Sequence, residues 1–264
     1  MKQPSAHPRP APERKRDDAR ERAATMRAEQ AAADRRRRVL IYGAVVAVVV
    51  ALVAAVGIAV QVQRDDVGAA ILAAPPRGTT GGGTAVTVGS GEAAVTVEVF
   101  EDFQCPACAE FERVSGGVLD RLVDDGKVRI VYHPMAFLDH ASTDEYSSRA
   151  LNAAGCVLDA GGPGAYRTIH AALFAEQPAE GGPGLPDTRL VTLAAAAGVR
   201  DGAVSACIQD RRFHDWTRKA TDAASKAGIA ATPTVLVAGE RLTDTSPQAV
   251  IQAVVQAVDR AATG

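Results

Sequence analysis

Cysteine is scarce in this chain. Four residues in 264 are too few for a small domain stapled by many disulfides. Long apolar runs are scarcer still. There is one, which excludes a multi-span transporter. No internal repeat is visible, and no large excess of one charge exists, since 29 Lys+Arg against 31 Asp+Glu leave a formal −2. Disorder throughout is excluded as well, because 47% of the residues are hydrophobic. The charge is unevenly placed. Residues 1–38 carry a net +6 and the remainder a net −8. An acidic C-terminal part argues against a nucleic-acid-binding domain.

The single apolar run is Val39–Val60, 22 residues without a charge. As a helix it would be about 33 Å long, enough for a hydrocarbon core of about 30 Å. Arg35–Arg38 precede it and a mixed Arg64-Asp65-Asp66 follows. The positive-inside rule then puts residues 1–38 in the cytoplasm and the rest outside. A cleaved signal peptide has a shorter apolar core, about 7–15 residues, and a shorter leader. The expectation is therefore one transmembrane helix at 39–60, anchoring the chain in the cell membrane behind a basic, solvated tail at 1–38. Residues 61–83 include Pro75-Pro76 and Gly81-Gly82-Gly83 and read as a flexible linker.

Residues 84–264 are one domain's worth of chain. Thr84–Val88, Ala94–Phe100, Val128–Tyr132 and Thr234–Val237 are β-branched runs that read as strands. Pro106–Asp125 reads as a helix, with Phe111, Val114, Val118, Leu119 and Leu122 at helical spacing. Pro247–Ala262 is a last amphipathic helix, and Gly239-Glu240 suits a short hairpin turn. Between about 140 and 227 the pattern is helical and Ala-rich, broken at Gly161–Gly164 and Gly181–Pro186. Strands and helices in this order predict an α/β fold with a helical insertion.

One motif carries chemistry. Cys105-Pro106-Ala107-Cys108 lies where a strand ends and a helix begins. A zinc site needs about four ligands, usually a second such pair or a His pair, and neither is nearby, so no metal is expected here. A redox role suits the position. Cys105 would cap the helix with Pro106 at its first position, where the missing N–H is harmless. Free N–H groups and the helix dipole favour a thiolate there. Cys108, one turn on, can close a disulfide with Cys105. The expected order is attack at Cys105 and resolution by Cys108. A second feature lies about 128 residues later, where Thr232-Pro233 precedes an apolar strand and offers a bond that can be cis.

Together these residues resemble the thioredoxin superfamily. They resemble more specifically the DsbA-like, membrane-anchored thiol-disulfide oxidoreductases of actinobacterial type. The stretches that carry the resemblance are VTVEVFEDFQCPACAEFE at 95–112, KVRIVYHPMAF at 127–137 and GIAATPTVLVAGERL at 228–242. It implies a thioredoxin fold with a helical insertion over 84–264 and a cis Thr232–Pro233 bond facing Cys105. It also implies backbone near Thr232 that pairs with an extended substrate. Phe103 and Gln104 would line the substrate groove, with core packing the other reading of Phe103. In an oxidising compartment two leftover cysteines tend to pair. The resemblance likewise implies a second, structural disulfide, Cys156–Cys207, in the helical lobe. The implied activity needs no cofactor. It would use cysteine-containing exported proteins as substrates and a membrane oxidase of VKOR-like type for reoxidation, with the enzyme a monomer. The rival readings are a reductase or isomerase of the same fold, and a non-catalytic, membrane-tethered interaction module.

The chain departs from the pattern in two places. Many thioredoxin-like proteins carry a buried acid six residues before the first active-site cysteine, and here that residue is Val99. Glu98 and Glu101 flank it and read as solvated strand-edge carboxylates. The dipeptide between the cysteines is Pro-Ala, so no imidazole lies between them. His133, His140, His170 and His214 are scattered and read as structural or exposed, and Trp216 with Phe213 as a helical core face.

Overall fold

The computed structural model describes residues 74–263. The tail 1–38, the candidate span 39–60 and residues 61–73 lie outside the described residues. Among those described, no helix is long and apolar enough to cross a membrane.

A six-stranded mixed sheet forms the centre. Its strands are β1 (Thr79–Thr80), β2 (Ala85–Val88), β3 (Val95–Glu101), β4 (Val128–Pro134), β5 (Thr234–Val237) and β6 (Glu240–Arg241). The order across the sheet is β1-β2-β4-β3-β5-β6. Only β3 and β4 are parallel, and the other neighbours are antiparallel. Parallel neighbours need a crossover. Here it comprises α1 (Pro106–Phe111), a π-helical turn (Glu112–Gly116) and α2 (Gly117–Asp124). Val95, Val97 and Val99 point to one covered face and are buried, as period-two strands with β-branched residues should be. The β5–β6 hairpin turns through Ala238 and Gly239, both at positive φ (52° and 84°), as a tight two-residue turn requires.

Between β4 and β5 the chain makes the helical insertion: α3 (Tyr146–Ala175), α4 (Asp187–Ala196), α5 (Gly202–Gln209) and α6 (His214–Lys226). The expected break at Gly161–Gly164 is a kink inside α3, with Gly162 at φ 73° and Pro163 after it. Trp216, Tyr146, Tyr166 and Leu151 fill the core of this lobe, and Trp216 and Phe213 are buried as expected. The last helix, α7 (Pro247–Thr263), packs on β3 and β5.

Two expectations need correction. The segment 74–83, expected as part of a flexible linker, is packed on the domain. Pro76 is buried beside Trp216 and Gly155. The backbone N–H of Arg77 donates to Asp159 Oδ1 at 2.8 Å, and Trp216 Nε1 donates to the Gly83 carbonyl at 2.7 Å. The three glycines at 81–83 all have positive φ, so their freedom is spent on a tight turn between β1 and β2. The helix expected over 106–125 is likewise not one continuous α-helix. The Ser115 hydroxyl donates to the Phe111 carbonyl at 2.5 Å, and Gly116-Gly117 holds the ladder weakly, so the chain widens there into the π turn.

Candidate active site

The site begins where β3 runs out. Asp102 follows its last residue and is fully buried. Its carboxylate accepts from the Gln104 N–H at 2.8 Å, the Leu138 N–H at 2.9 Å and the Ser147 hydroxyl at 2.6 Å. These bonds fold residues 102–104 inward and bind the turn to the start of the insertion. Burial pushes the Asp102 carboxyl up to about 6, against the pull of the same hydrogen bonds. The Cys105 N–H donates to the Asp102 carbonyl at 2.9 Å, and the chain then enters α1.

Cys105 is the N-cap of α1, with φ −74° and ψ 117°, and Pro106 follows at the first helical position. The Cys105 carbonyl takes the first helical bonds, from Cys108 N–H at 3.0 Å and Ala109 N–H at 3.1 Å. Gln177, just past the end of α3, donates through Nε2 to the carbonyls of Phe103 (3.0 Å) and Cys105 (2.9 Å). The helical lobe thus holds the reactive loop from behind.

The two thiols are unpaired with each other in this structure and differ in exposure: Cys105 is 6% exposed and Cys108 fully buried. A hydrogen bond from the Cys108 thiol lowers Cys105 to about 6. Burial opposes this, and the Thr232 side chain and the N–H groups of Cys108 and Ala107 reinforce it. Burial drives Cys108 well above the ordinary thiol range, and the neighbouring Cys105 thiolate and the Glu101 carboxylate push the same way. One sulfur is made a nucleophile and the other is kept as a thiol.

The Thr232–Pro233 bond is cis. Its place follows from register. Thr234 of β5 pairs with Phe100 of β3 in antiparallel sense, so the residues just before β5 lie beside those just after β3. The Cys105 thiol donates to the Thr232 carbonyl at 3.3 Å. Cys105, Cys108, Thr232 and Pro233 are therefore brought together, 127 residues apart in sequence for the sulfur–carbonyl contact.

Phe103 and Gln104 are not at an exposed groove. Phe103 is 1% exposed, and its ring packs 5.1 Å from Phe174 and 5.7 Å from His170. Gln104 is buried and donates to the Ala141 carbonyl at 3.3 Å. The inward fold at Asp102 turns both away from solvent. Cys156 and Cys207 form a disulfide that ties α3 to α5. Val99 is buried, as its place in β3 requires. Glu98 is half-buried and bonds His133 Nε2 at 3.0 Å.

Glu101 is the larger surprise. It is 1% exposed, and its Oε1 lies 2.6 Å from His170 Nε2. The Glu112 carboxylate, carried by the π turn, joins them, and one ligand atom from each of the three falls within 4.8 Å of the others. Burial pushes Glu112 up to about 7, with the charge of His170 pulling it back. Burial would lower His170, but the Glu101 and Glu112 carboxylates outweigh it and raise it. No sequence pattern announces this cluster, because its histidine is 69 residues from Glu101. Asp102 and Gln177 carry no motif either, since their partners are mostly backbone groups, which any sequence offers. A groove runs beside α1, lined by Pro106, Ala109, Glu112, Gly116, Phe174 and Gln177 among others.

Comparison with known proteins places this geometry. A family model described as thioredoxin matches residues 81–257. The crystal structure of oxidised DsbA from Mycobacterium tuberculosis is 38% identical, with a TM-score of 0.58, and the match covers 68% of this chain and 98% of that one. The reduced disulfide bond oxidoreductase DsbG from Mycobacterium tuberculosis is 39% identical, again with a TM-score of 0.58, covering 69% of this chain and 93% of that one. The serine/threonine-protein kinase PknE of Mycobacterium tuberculosis is 33% identical over 157 residues, 58% of this chain. The match spans only 28% of that kinase's length.

Proposed function

This chain belongs to the thioredoxin family, among its DsbA-like thiol-disulfide oxidoreductases, and from that premise we propose that it forms disulfide bonds in exported proteins through Cys105 and Cys108. The observation that carries the reading is the opposed setting of the two thiols, one lowered to about 6 at a helix N-terminus and one buried behind it, beside a cis Thr232–Pro233 bond.

The cycle starts from the Cys105–Cys108 disulfide. A substrate thiolate attacks Cys105 Sγ. A sulfur–sulfur bond to substrate forms, the Cys105–Cys108 bond breaks, and Cys108 leaves as a thiolate that takes up a proton. The second substrate thiol, deprotonated, then attacks the substrate sulfur of the mixed disulfide and expels Cys105. The substrate has lost two electrons and two protons. The enzyme has gained both electrons, with Cys105 left as thiolate and Cys108 as thiol. Stabilising that thiolate stabilises the reduced enzyme, which is what makes a disulfide a strong oxidant. A Cys105 thiolate at about 6 supports exchange in either direction, since thioredoxin's lies at about 7 and DsbA's at about 3.5; the oxidising reading rests on the DsbA-like resemblance. The Thr232 backbone would pair with the extended substrate next to Cys105. The span at 39–60 would hold the domain outside the membrane, beside a VKOR-like oxidase that removes the electrons, and the enzyme would work as a monomer.

The test is substrate capture. Cys108→Ser should accumulate mixed disulfides on Cys105 in cells, seen on non-reducing gels and identified by mass spectrometry, while Cys105→Ser should capture none. Equal absence of adducts in both variants would sink the exchange reading and favour a non-catalytic module. The direction is tested by the reduction potential. A value towards about −120 mV supports oxidation, and one towards about −270 mV reverses it.

A further inference from the structure

We propose that Glu101, Glu112 and His170 form a binding site for one divalent cation of the zinc class. The cation would clasp the end of β3, the π turn behind α1 and the insertion helix α3. The site lies close enough for the Glu101 carboxylate to act on Cys108, but the proposal does not rest on the thiol chemistry.

The ligand set comes first. One imidazole nitrogen and two carboxylate oxygens lie within 4.8 Å of one another. Metal–ligand bonds of about 2.0–2.2 Å put ligand atoms up to about 4 Å apart, so small side-chain rotations close the set. Nitrogen with carboxylate suits zinc and its neighbours, whereas calcium needs six to eight oxygens. Three protein ligands with one open position is a common zinc arrangement.

The second observation is independent of that count. Glu101 is 1% exposed, yet its Oε2 has no hydrogen-bond partner among the described residues. Neither carboxylate has a Lys or Arg partner among the described ion pairs, whose contact at this cluster is Glu101 with His170. Arg167, which serves the neighbouring α2, is engaged by Asp120 and Asp124 at 2.6 Å each. A protonated His170 answers one carboxylate, and the second, set partly in the groove, is left without a cation among the described ion pairs. A single divalent ion would answer both carboxylates and the orphaned oxygen together.

The surroundings are built for it. The His170 ring is held by Tyr132, Phe174, Phe103 and Tyr166, at centroid distances of 4.3, 5.1, 5.7 and 5.9 Å. The π turn swings Glu112 inward, and such turns recur at functional sites. Gly116 leaves the space the carboxylate needs, since a Cβ there would sit 3.0 Å from Glu112 Oε2. Glu112 also lines the groove beside α1, which gives an ion a way in.

The experiment uses the full-length chain in detergent micelles, stripped with chelator. Cys105 and Cys108 are held as a disulfide so that no thiolate competes. Titration with zinc chloride, followed by calorimetry, should give one ion per chain and a raised melting temperature. Glu112→Gln keeps the volume and should weaken uptake roughly tenfold or more. Gly116→Ala leaves all three ligands in place but displaces the carboxylate, and should weaken uptake as well. It decides the matter if Glu112→Gln does not fold. Absence of uptake at millimolar zinc would overturn the proposal. So would uptake that Gly116→Ala and a folded Glu112→Gln both leave unchanged. Either result would mean that protons alone hold the three groups together.

Discussion

Cys105 and Cys108 sit one helical turn apart, yet their surroundings push them in opposite directions. At a value of about 6, Cys105 is roughly 90% thiolate at pH 7, against about 3% for an unperturbed thiol. The folded value lies below the unfolded one, so the reduced folded state gains stability as pH rises above about 6 and loses it below. The oxidised state has no such proton to lose, so the potential inherits the break. Below about pH 6 two protons accompany two electrons, and the potential should fall by about 59 mV per pH unit; above it one proton does, and the fall should be about 30 mV. Potentials measured from pH 4.5 to 8, with the ultraviolet absorbance of the thiolate followed in parallel, should break at the same pH. A break near about 8.5 would mean that neither the Cys108 thiol nor the N–H groups of the helix N-terminus activate Cys105.

Among the elements, α3 does more than fill a lobe. Its C-terminal neighbour Gln177 spans back to two carbonyls of the reactive loop, at 3.0 and 2.9 Å. Gln177→Met keeps the length of the side chain and removes both donors. The expected loss is about 1–2 kcal/mol in denaturant unfolding, since the Phe103 carbonyl loses this donor while the Cys105 carbonyl keeps the N–H groups of Cys108 and Ala109. A loss below about 0.5 kcal/mol would show that the loop holds its shape unaided. This contact also shows where sequence reading stops. Strands such as Val95–Glu101 and the cap at Cys105-Pro106 are legible because local chemistry dictates them, through β-branching, period two and a fixed φ at Pro106. The cis Thr232–Pro233 bond was legible only through resemblance, because either isomer fits the local sequence. Gln177, Asp102 and the Glu101–His170 pair were not legible, because their partners come from other elements and the side chains alone carry no spacing. Phe103 takes the core-packing reading of the two open to it, and Gln104 departs from the expected groove: adjacency to Cys105 suggests a surface, and the Asp102 hydrogen bonds turn it inward.

For the molecule as a whole, the domain edge matters most. Composition alone put the folded part at Thr84, because Pro and Gly at 75–83 look like linker. The fold uses those same residues as a strap. Pro76 covers Trp216 and Gly155, Arg77 meets Asp159, β1 extends the sheet, and Gly83 accepts the Trp216 indole N–H. The strap closes over the lobe that the Cys156–Cys207 disulfide cross-links, and that bond, 51 residues apart, adds about 4 kcal/mol by loop entropy. Two soluble fragments separate the readings, one starting at Ala74 and one at Thr84. If 74–83 were linker, their melting temperatures would coincide. The packing predicts that the shorter fragment melts lower by roughly 5–10 °C. It uncovers the largest buried ring of the lobe and leaves the Trp216 N–H without its acceptor, at about 2–4 kcal/mol together. The Cys105 thiolate should titrate at the same pH in both fragments, because the groups that set it lie at 107, 108 and 232 and the strap touches none of them.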